Sequence, residues 1–201
     1  LAGESRPWTL VTEESLTANL RGVNTNPAAD PEDMVSIRLW IEPTRVISVR
    51  LRRLMSIDDL RRTIESGRGP KDVGDFIVQL AEHLTRRMAD VIGDVNDEVD
   101  RLQDQVLEAE SRHLRSELNN LRRVIIALRR YLAPQRDALS RMTNLKVSGF
   151  GERTMFHLRE EADRGALAPG HEVSDARRAG LCPRRQLTGD YRLCRRLYPG
   201  L

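Results

Sequence analysis

Apolar residues change their spacing along this chain, and each change marks a different kind of element. Over residues 35–41, Val35, Ile37, Leu39 and Ile41 fall on one side of an extended chain while Ser36, Arg38 and Trp40 fall on the other. That period of two is the pattern of a strand with one covered face. Short β-branched or alternating runs also occupy 16–23 and 46–51, and 9–12 adds a fourth. Asn24-Thr25-Asn26-Pro27, Pro31 and Glu42-Pro43-Thr44 separate the later runs with residues that favour turns. The spacing predicts a hairpin of 35–41 with 46–51, and a pairing of 9–12 across Glu13-Glu14-Ser15 with the strand that follows.

From Ser56 onward the period is helical. The Ser56 hydroxyl is placed to cap a free amide of a first turn, with Asp58 and Asp59 at the positive end of the helix dipole. Leu60 and Ile64 form the buried side of this short helix, and Gly67, Gly69 and Pro70 end it. Beyond Lys71, Leu80, Leu84, Met88, Val91, Val95, Val99, Leu102 and Val106 follow one another at spacings of 3 or 4. After the polar break 108–112, Leu114, Leu118, Leu121, Ile125, Leu128 and Leu132 do the same. Two such stripes predict helices over 73–108 and 112–133, packed antiparallel through Leu84 to Val99 on one and Leu114 to Leu128 on the other. Pro134 deletes a backbone hydrogen bond and is expected to kink or interrupt the second helix, which 137–142 can resume. A last helix spans 152–164, with Phe156, Leu158 and Ala162 on its apolar side.

Composition agrees with a helix-dominated α/β (α+β) fold. Charged residues make up 31% and aromatic residues only 4% of the 201 positions, which suits long solvent-washed helices better than a large sheet core. No run approaches the about 20 apolar residues of a spanning helix, since the best stretch, 124–128, has arginines on both sides. No secretory leader is expected from the acidic, proline-containing start. The formal net charge is +3, but residues 165–201 hold seven arginines against Glu172, Asp175 and Asp190. Without them the 33 basic and 30 acidic residues become 26 and 27. The body is therefore near neutral, and no nucleic-acid partner is expected. A weaker option is an arginine-rich tail that binds polyanions.

Candidate chemistry is sparse. Asp90, Asp94, Asp97, Glu98, Asp100, Asp104 and Glu108 lie along the first long helix. Carboxylates at helical spacing can share a hard divalent cation, so Asp94, Asp97, Glu98, Asp100 and Asp104 are the candidate metal ligands, for weak binding of zinc or magnesium. The plainer reading is a solvated face paired with Arg101 and with Arg112, Arg115, Arg122 and Arg123 opposite. His83, His113, His157 and His171 have no zinc-site spacing, and Cys182 and Cys194 form no CxxC. No catalytic set and no cofactor is expected. Gly22-Val23-Asn24 reads as a strand passing into a turn, where glycine and asparagine tolerate unusual backbone angles.

Two segments carry a resemblance: Asn19-Leu20-Arg21-Gly22-Val23-Asn24-Thr25-Asn26-Pro27 and Leu128-Arg129-Arg130-Tyr131-Leu132-Ala133-Pro134-Gln135-Arg136-Asp137. With 33–40 and Gly67-Arg68-Gly69-Pro70 they resemble the cytoplasmic domain of CorA-type divalent-cation transporters, in particular the ZntB-like zinc-transporter branch. The resemblance covers about residues 1–164. It implies a partial α/β/α sandwich followed by long helices, in a parent that assembles as a homopentamer on the cytoplasmic side of the inner membrane. It also implies that this chain begins inside the domain, lacks strands of the full sheet and, having no membrane span, is soluble and does not transport on its own. Gly22-Val23-Asn24 has the letters of the family's pore signature but precedes no spanning helix. The expected organisation is a strand-rich part over 1–70, long helices leading to a stalk over 71–164, and an irregular tail over 165–201. The tail, with five glycines, three prolines and no apolar period, has the character of a frame-shifted segment and is expected to be mobile and dispensable. An independent helical interaction module is the alternative.

Overall fold

The computed structural model describes residues 6–12, 15–108, 112–144 and 150–166, with the side chains of 103, 104, 106–108, 112, 113, 115, 118, 144 and 166 also left aside. Four strands, β1 (Trp8–Val11), β2 (Leu16–Gly22), β3 (Val35–Glu42) and β4 (Arg45–Arg50), form one antiparallel sheet in chain order. Four helices follow: α1 (Met55–Glu65), α2 (Val73–Glu108), α3 (Arg112–Asn144) and α4 (Glu152–Ala166).

The register explains which side of the sheet is covered. Leu16 pairs with Ile41, Ala18 with Leu39 and Leu20 with Ile37, so the alternating apolar sets of β2 and β3 stand on one face. That face is packed by Leu60 of α1, Ile77, Leu80 and Leu84 of α2, Ala138, Leu139 and Met142 of α3, and Leu158 and Ala162 of α4. Each fully buried Leu or Ile contributes about 1.5 to 3 kcal/mol. The opposite face carries Trp8, Leu10, Trp40, Ile47 and Val49, all of them exposed. Asn19 and Arg21 of β2, on the same side by alternation, are buried.

β2 extends past the end of β1, whose pairing stops at Trp8 opposite Asn19. The uncovered backbone of Arg21 is met by a side chain instead. Its N–H donates to Gln135 Oε1 at 2.8 Å, and its carbonyl accepts from Gln135 Nε2 at 2.7 Å. An amide side chain of α3 thus takes the place of a strand residue. Beside it the buried Arg21 guanidinium stacks over Tyr131 at 4.5 Å from the ring centroid and donates to the Met34 carbonyl at 2.9 Å.

The two long helices meet through a second cluster, in which Met88, Val91 and Ile92 of α2 and Leu128, Tyr131 and Leu132 of α3 surround Val23 and Met34. The predicted hairpin is present, but its stripes are divided. Leu80 and Leu84 belong to the sheet core, while Val95, Val99, Leu121 and Ile125 are only half-buried. Leu118 lies outside the described side chains.

Several local expectations are corrected. α3 runs through Pro134 without interruption, because Gln135, Ala138, Leu139 and Met142 beyond it are held against the sheet. Ser56 is not a cap: Leu54 occupies that position without a side-chain hydrogen bond, and the buried Ser56 hydroxyl donates to the His83 carbonyl at 3.3 Å. Ile64 and Phe156, expected on apolar sides, are exposed. Gly22 has no left-handed backbone; positive φ occurs at Ala28 and Gly67. What Gly22 provides is closeness, since a Cβ there would stand 2.7 Å from Leu54 Cδ1 and Leu84 Cδ2. The helix of 152–164 continues to Ala166, and 167–201 lies outside the described residues.

Asp59 ties α1 to α2. It accepts from Arg87 Nη2 at 3.0 Å, and Arg87 Nη1 donates to Thr25 Oγ1 at 3.1 Å. The Arg87 hydrogen bond holds the Asp59 carboxyl below its ordinary 3.8 against the opposing effect of burial, with Arg62 adding to it.

Leu128, 2% exposed, and the half-buried Leu121 separate core from periphery on one stripe. Leu128→Ala is expected to destabilise by about 2 to 5 kcal/mol and Leu121→Ala by clearly less, as read by urea unfolding. Gln135→Ala leaves two buried backbone groups of Arg21 unpaired and is expected to cost roughly 1 to 3 kcal/mol for each. Gln135→Glu keeps the acceptor but sets a buried carboxylate oxygen against the Arg21 carbonyl, and its unfolding midpoint should lie below that of wild type at neutral pH.

Candidate functional site

The acidic run of α2 is a regular consequence of the fold. Residues Met88, Val91 and Ile92 turn inward, so the positions between them face out. Asp90, Asp94, Asp97 and Asp100 are exposed and Glu98 is half-buried. Glu98 accepts from Arg101 Nε at 2.8 Å and Nη2 at 2.6 Å. This pairing lowers the Glu98 carboxyl and raises the Arg101 guanidinium relative to their ordinary values. Arg101 also reaches Glu117 of α3 at 3.7 Å, an ion pair that the sequence pattern had not marked. Arg123 of α3, placed opposite the acidic face on sequence grounds, hydrogen-bonds Asn120 on its own helix.

Among the described residues, no three His, Cys, Asp or Glu side chains come together in a way that could hold a metal ion. The Asp104 side chain is outside them. A row of carboxylates one helical turn apart can attract a hydrated cation through its summed field. Tight binding needs converging oxygens and further ligands from elsewhere.

The remaining titratable groups are dispersed. His83 of α2 is half-buried, and burial, followed by the charge of Arg86, lowers its ring below the usual 6.5. His157 bonds Glu160 at 3.0 Å on α4. The side chain of His113 and the whole of His171, Cys182 and Cys194 lie outside the described residues. Glu161 is different: it is buried in the packing of α4, and burial raises its carboxyl above 4.5.

The two quoted segments that were separate in sequence are one structural node. Arg21 of the first lies on Tyr131 and Gln135 of the second, 114 residues away from the latter. Gly22 and Asn24 of the same segment are turned inward: Gly22 admits α2, and the Asn24 N–H donates to the Pro31 carbonyl at 3.2 Å. No helix of the described residues is long and apolar enough to cross a membrane.

Comparison with known proteins places this architecture. The family model described as CorA-like Mg2+ transporter protein matches residues 1–166, all but the end of the chain. Divalent cation transporter CmaX of Pseudomonas aeruginosa is 45% identical over 140 residues, covering 69% of this chain and 42% of that protein. The structure of full-length CmaX superposes with a TM-score of 0.68 over 89% of this chain and 60% of that one, at 36% identity. Zinc transport protein ZntB of Pectobacterium atrosepticum is 36% identical over 177 residues, covering 88% of this chain and 53% of that protein. The ZntB cytoplasmic domain of Vibrio parahaemolyticus shares the fold, with a TM-score of 0.64 at 22% identity over 89% of this chain and 76% of that one. The chain thus spans about half the length of the curated relatives it matches. On the family match over 1–166, and on the strand block and long helices joined through Arg21 and Gln135, this chain belongs to the CorA-like divalent-cation transporter family, with a ZntB-like cytoplasmic-domain fold.

Proposed function

We propose that this chain is the cytoplasmic funnel domain of a zinc or other divalent-cation transporter, and that it conducts no ions by itself. The observation that carries the reading is the pairing of a family match over 1–166 with relatives about twice as long. The conducting part of those relatives has no counterpart among the described helices. In the parent, copies associate as a homopentamer, and the exposed carboxylates of α2 raise the local concentration of divalent cations near the ion path.

The Gly-, Pro- and Arg-rich composition after α4 is our ground for proposing a shifted reading frame there, and this gives a direct test. Translating the DNA after the α4 codons in the other two frames is expected to give two apolar stretches of about 20 residues. If neither frame contains them, the truncated-transporter reading fails and the independent helical module takes its place.

The carboxylates supply the second test. Titration calorimetry of the chain with zinc or magnesium is expected to show weak, salt-sensitive binding, reduced in a variant combining Asp97→Asn, Glu98→Gln and Asp100→Asn. Tight zinc binding that survives these substitutions would place the ligands elsewhere and remove the acidic face from the proposal.

A further inference from the structure

α4 is seated by small and apolar side chains, yet it carries a carboxylate into the packing. Leu158 and Ala162 are buried with Ala138, Leu139 and Met142 of α3 and with Ile77, Leu80 and Ala81 of α2. Glu161, between them on the helix, is 5% exposed. Its Oε1 accepts from Arg164 Nη1 at 2.6 Å, but the Arg164 side chain is itself 59% exposed, so its charge is screened by solvent. From α2, Thr85 favours the Glu161 charge and Glu82 opposes it. Glu82 is paired with Arg86. Glu160, the neighbour on α4, adds a further negative charge and is bonded to His157. α3 presents apolar side chains to this packing, and its Arg141 is exposed.

Thr85 and Arg164, both donors, favour the ionised carboxylate. Against them stand its burial at 5% exposure and the negative charges of Glu82 and Glu160. We propose that Glu161 is a proton-operated latch on the α2–α4 seam: protonation seats α4 tightly against α2, and loss of the proton loosens it. The proposal does not depend on the transport reading, because the seam and its readout belong to this chain alone.

The direction of the pH effect follows from the electrostatics. Burial raises the Glu161 carboxyl above its ordinary 4.5, Arg164 pulls it back, Glu82 raises it again, and Thr85 and Glu160 add smaller effects that lower and raise it, respectively. A carboxyl raised on folding contributes stability that is fully present below about 4.5 and is lost as pH rises through the raised value. Asp33 and Asp59 behave in the opposite way. Hydrogen bonds from Arg52 and Arg87, respectively, hold them below 3.8, so their contributions are present at neutral pH and disappear in acid. A seam that tightens on acidification is therefore distinguishable from the general acid response of the chain.

Hydrogen exchange by mass spectrometry on the full chain between pH 4 and 8, corrected for intrinsic rates, reads the seam directly. Peptides from α4 are expected to lose protection as pH rises, in excess of those from α1. The limit is about tenfold for each unit by which the folded pKa exceeds the unfolded one. Glu161→Gln should remove this excess, so that α4 protection relative to α1 no longer falls as pH rises. Arg164→Gln should keep the pH dependence but move it to higher pH, since the group that favours ionisation is gone. The latch is overturned if Glu161→Gln follows the wild-type profile. It is overturned equally if that variant exchanges faster than wild type at every pH, as a merely structural residue would, or if the Arg164→Gln profile does not move.

Discussion

Strand β2 outruns β1, and an amide side chain from a helix 114 residues away completes the sheet where the strand falls short. Buried backbone groups must be paired or cost free energy, so Gln135 fixes α3 to the sheet edge in both position and rotation. With Gln135 fixed, Tyr131 one turn earlier falls under the Arg21 guanidinium and Leu128 one turn before that joins the cluster that holds Met88. In the other direction, Ala138, Leu139 and Met142 are brought onto the sheet core. The angle at which α3 leaves the sheet, and with it the seam with α2, descends from this one pairing. Gly22, the next residue of β2, lets α2 approach from the same end of the strand.

Much of this arrangement was legible in the residues. Alternation in 35–41 identified the covered face of β3 and the exposed side of Trp40, and the 3- and 4-residue spacings located α2 and α3. The errors have a common cause: period identifies a face but not what the face meets. Leu80 and Leu84 continue the stripe of Met88 and Val91 without a break, yet they pack on the sheet and not on the hairpin partner. Ile64 and Phe156 lie near the apolar side of their helices but outside the buried clusters, and so are exposed. Pro134 costs α3 one hydrogen bond, while the tertiary contacts on both sides of it hold the helix continuous.

The candidate site was legible in a different sense. The positions of Asp94, Asp97, Glu98 and Asp100 on an outward face follow from helical period. Their failure to converge within the described residues follows from the straightness of a single helix. Glu161 gave no sequence signal at all. It stands in an ordinary Arg-Glu-Glu-Ala-Asp-Arg stretch, and only the packing of α4 between α2 and α3 separates it from its solvated neighbours. Gln135 and Arg21 were contained in the segments that carried the family resemblance, but no periodicity links residues so far apart.

The uncovered sheet face also determines what can be observed by light. The chain has two tryptophans, and both Trp8 and Trp40 stand on that face, at 39% and 50% exposure. Intrinsic tryptophan emission consequently reports the wetting of this one surface. It is almost blind to the helical seams where α2, α3 and α4 meet. Anything laid over the sheet, whether the rest of a parent domain or another chain, would shift the emission to shorter wavelength without any label being added. Changes confined to the helices would leave the same signal unmoved.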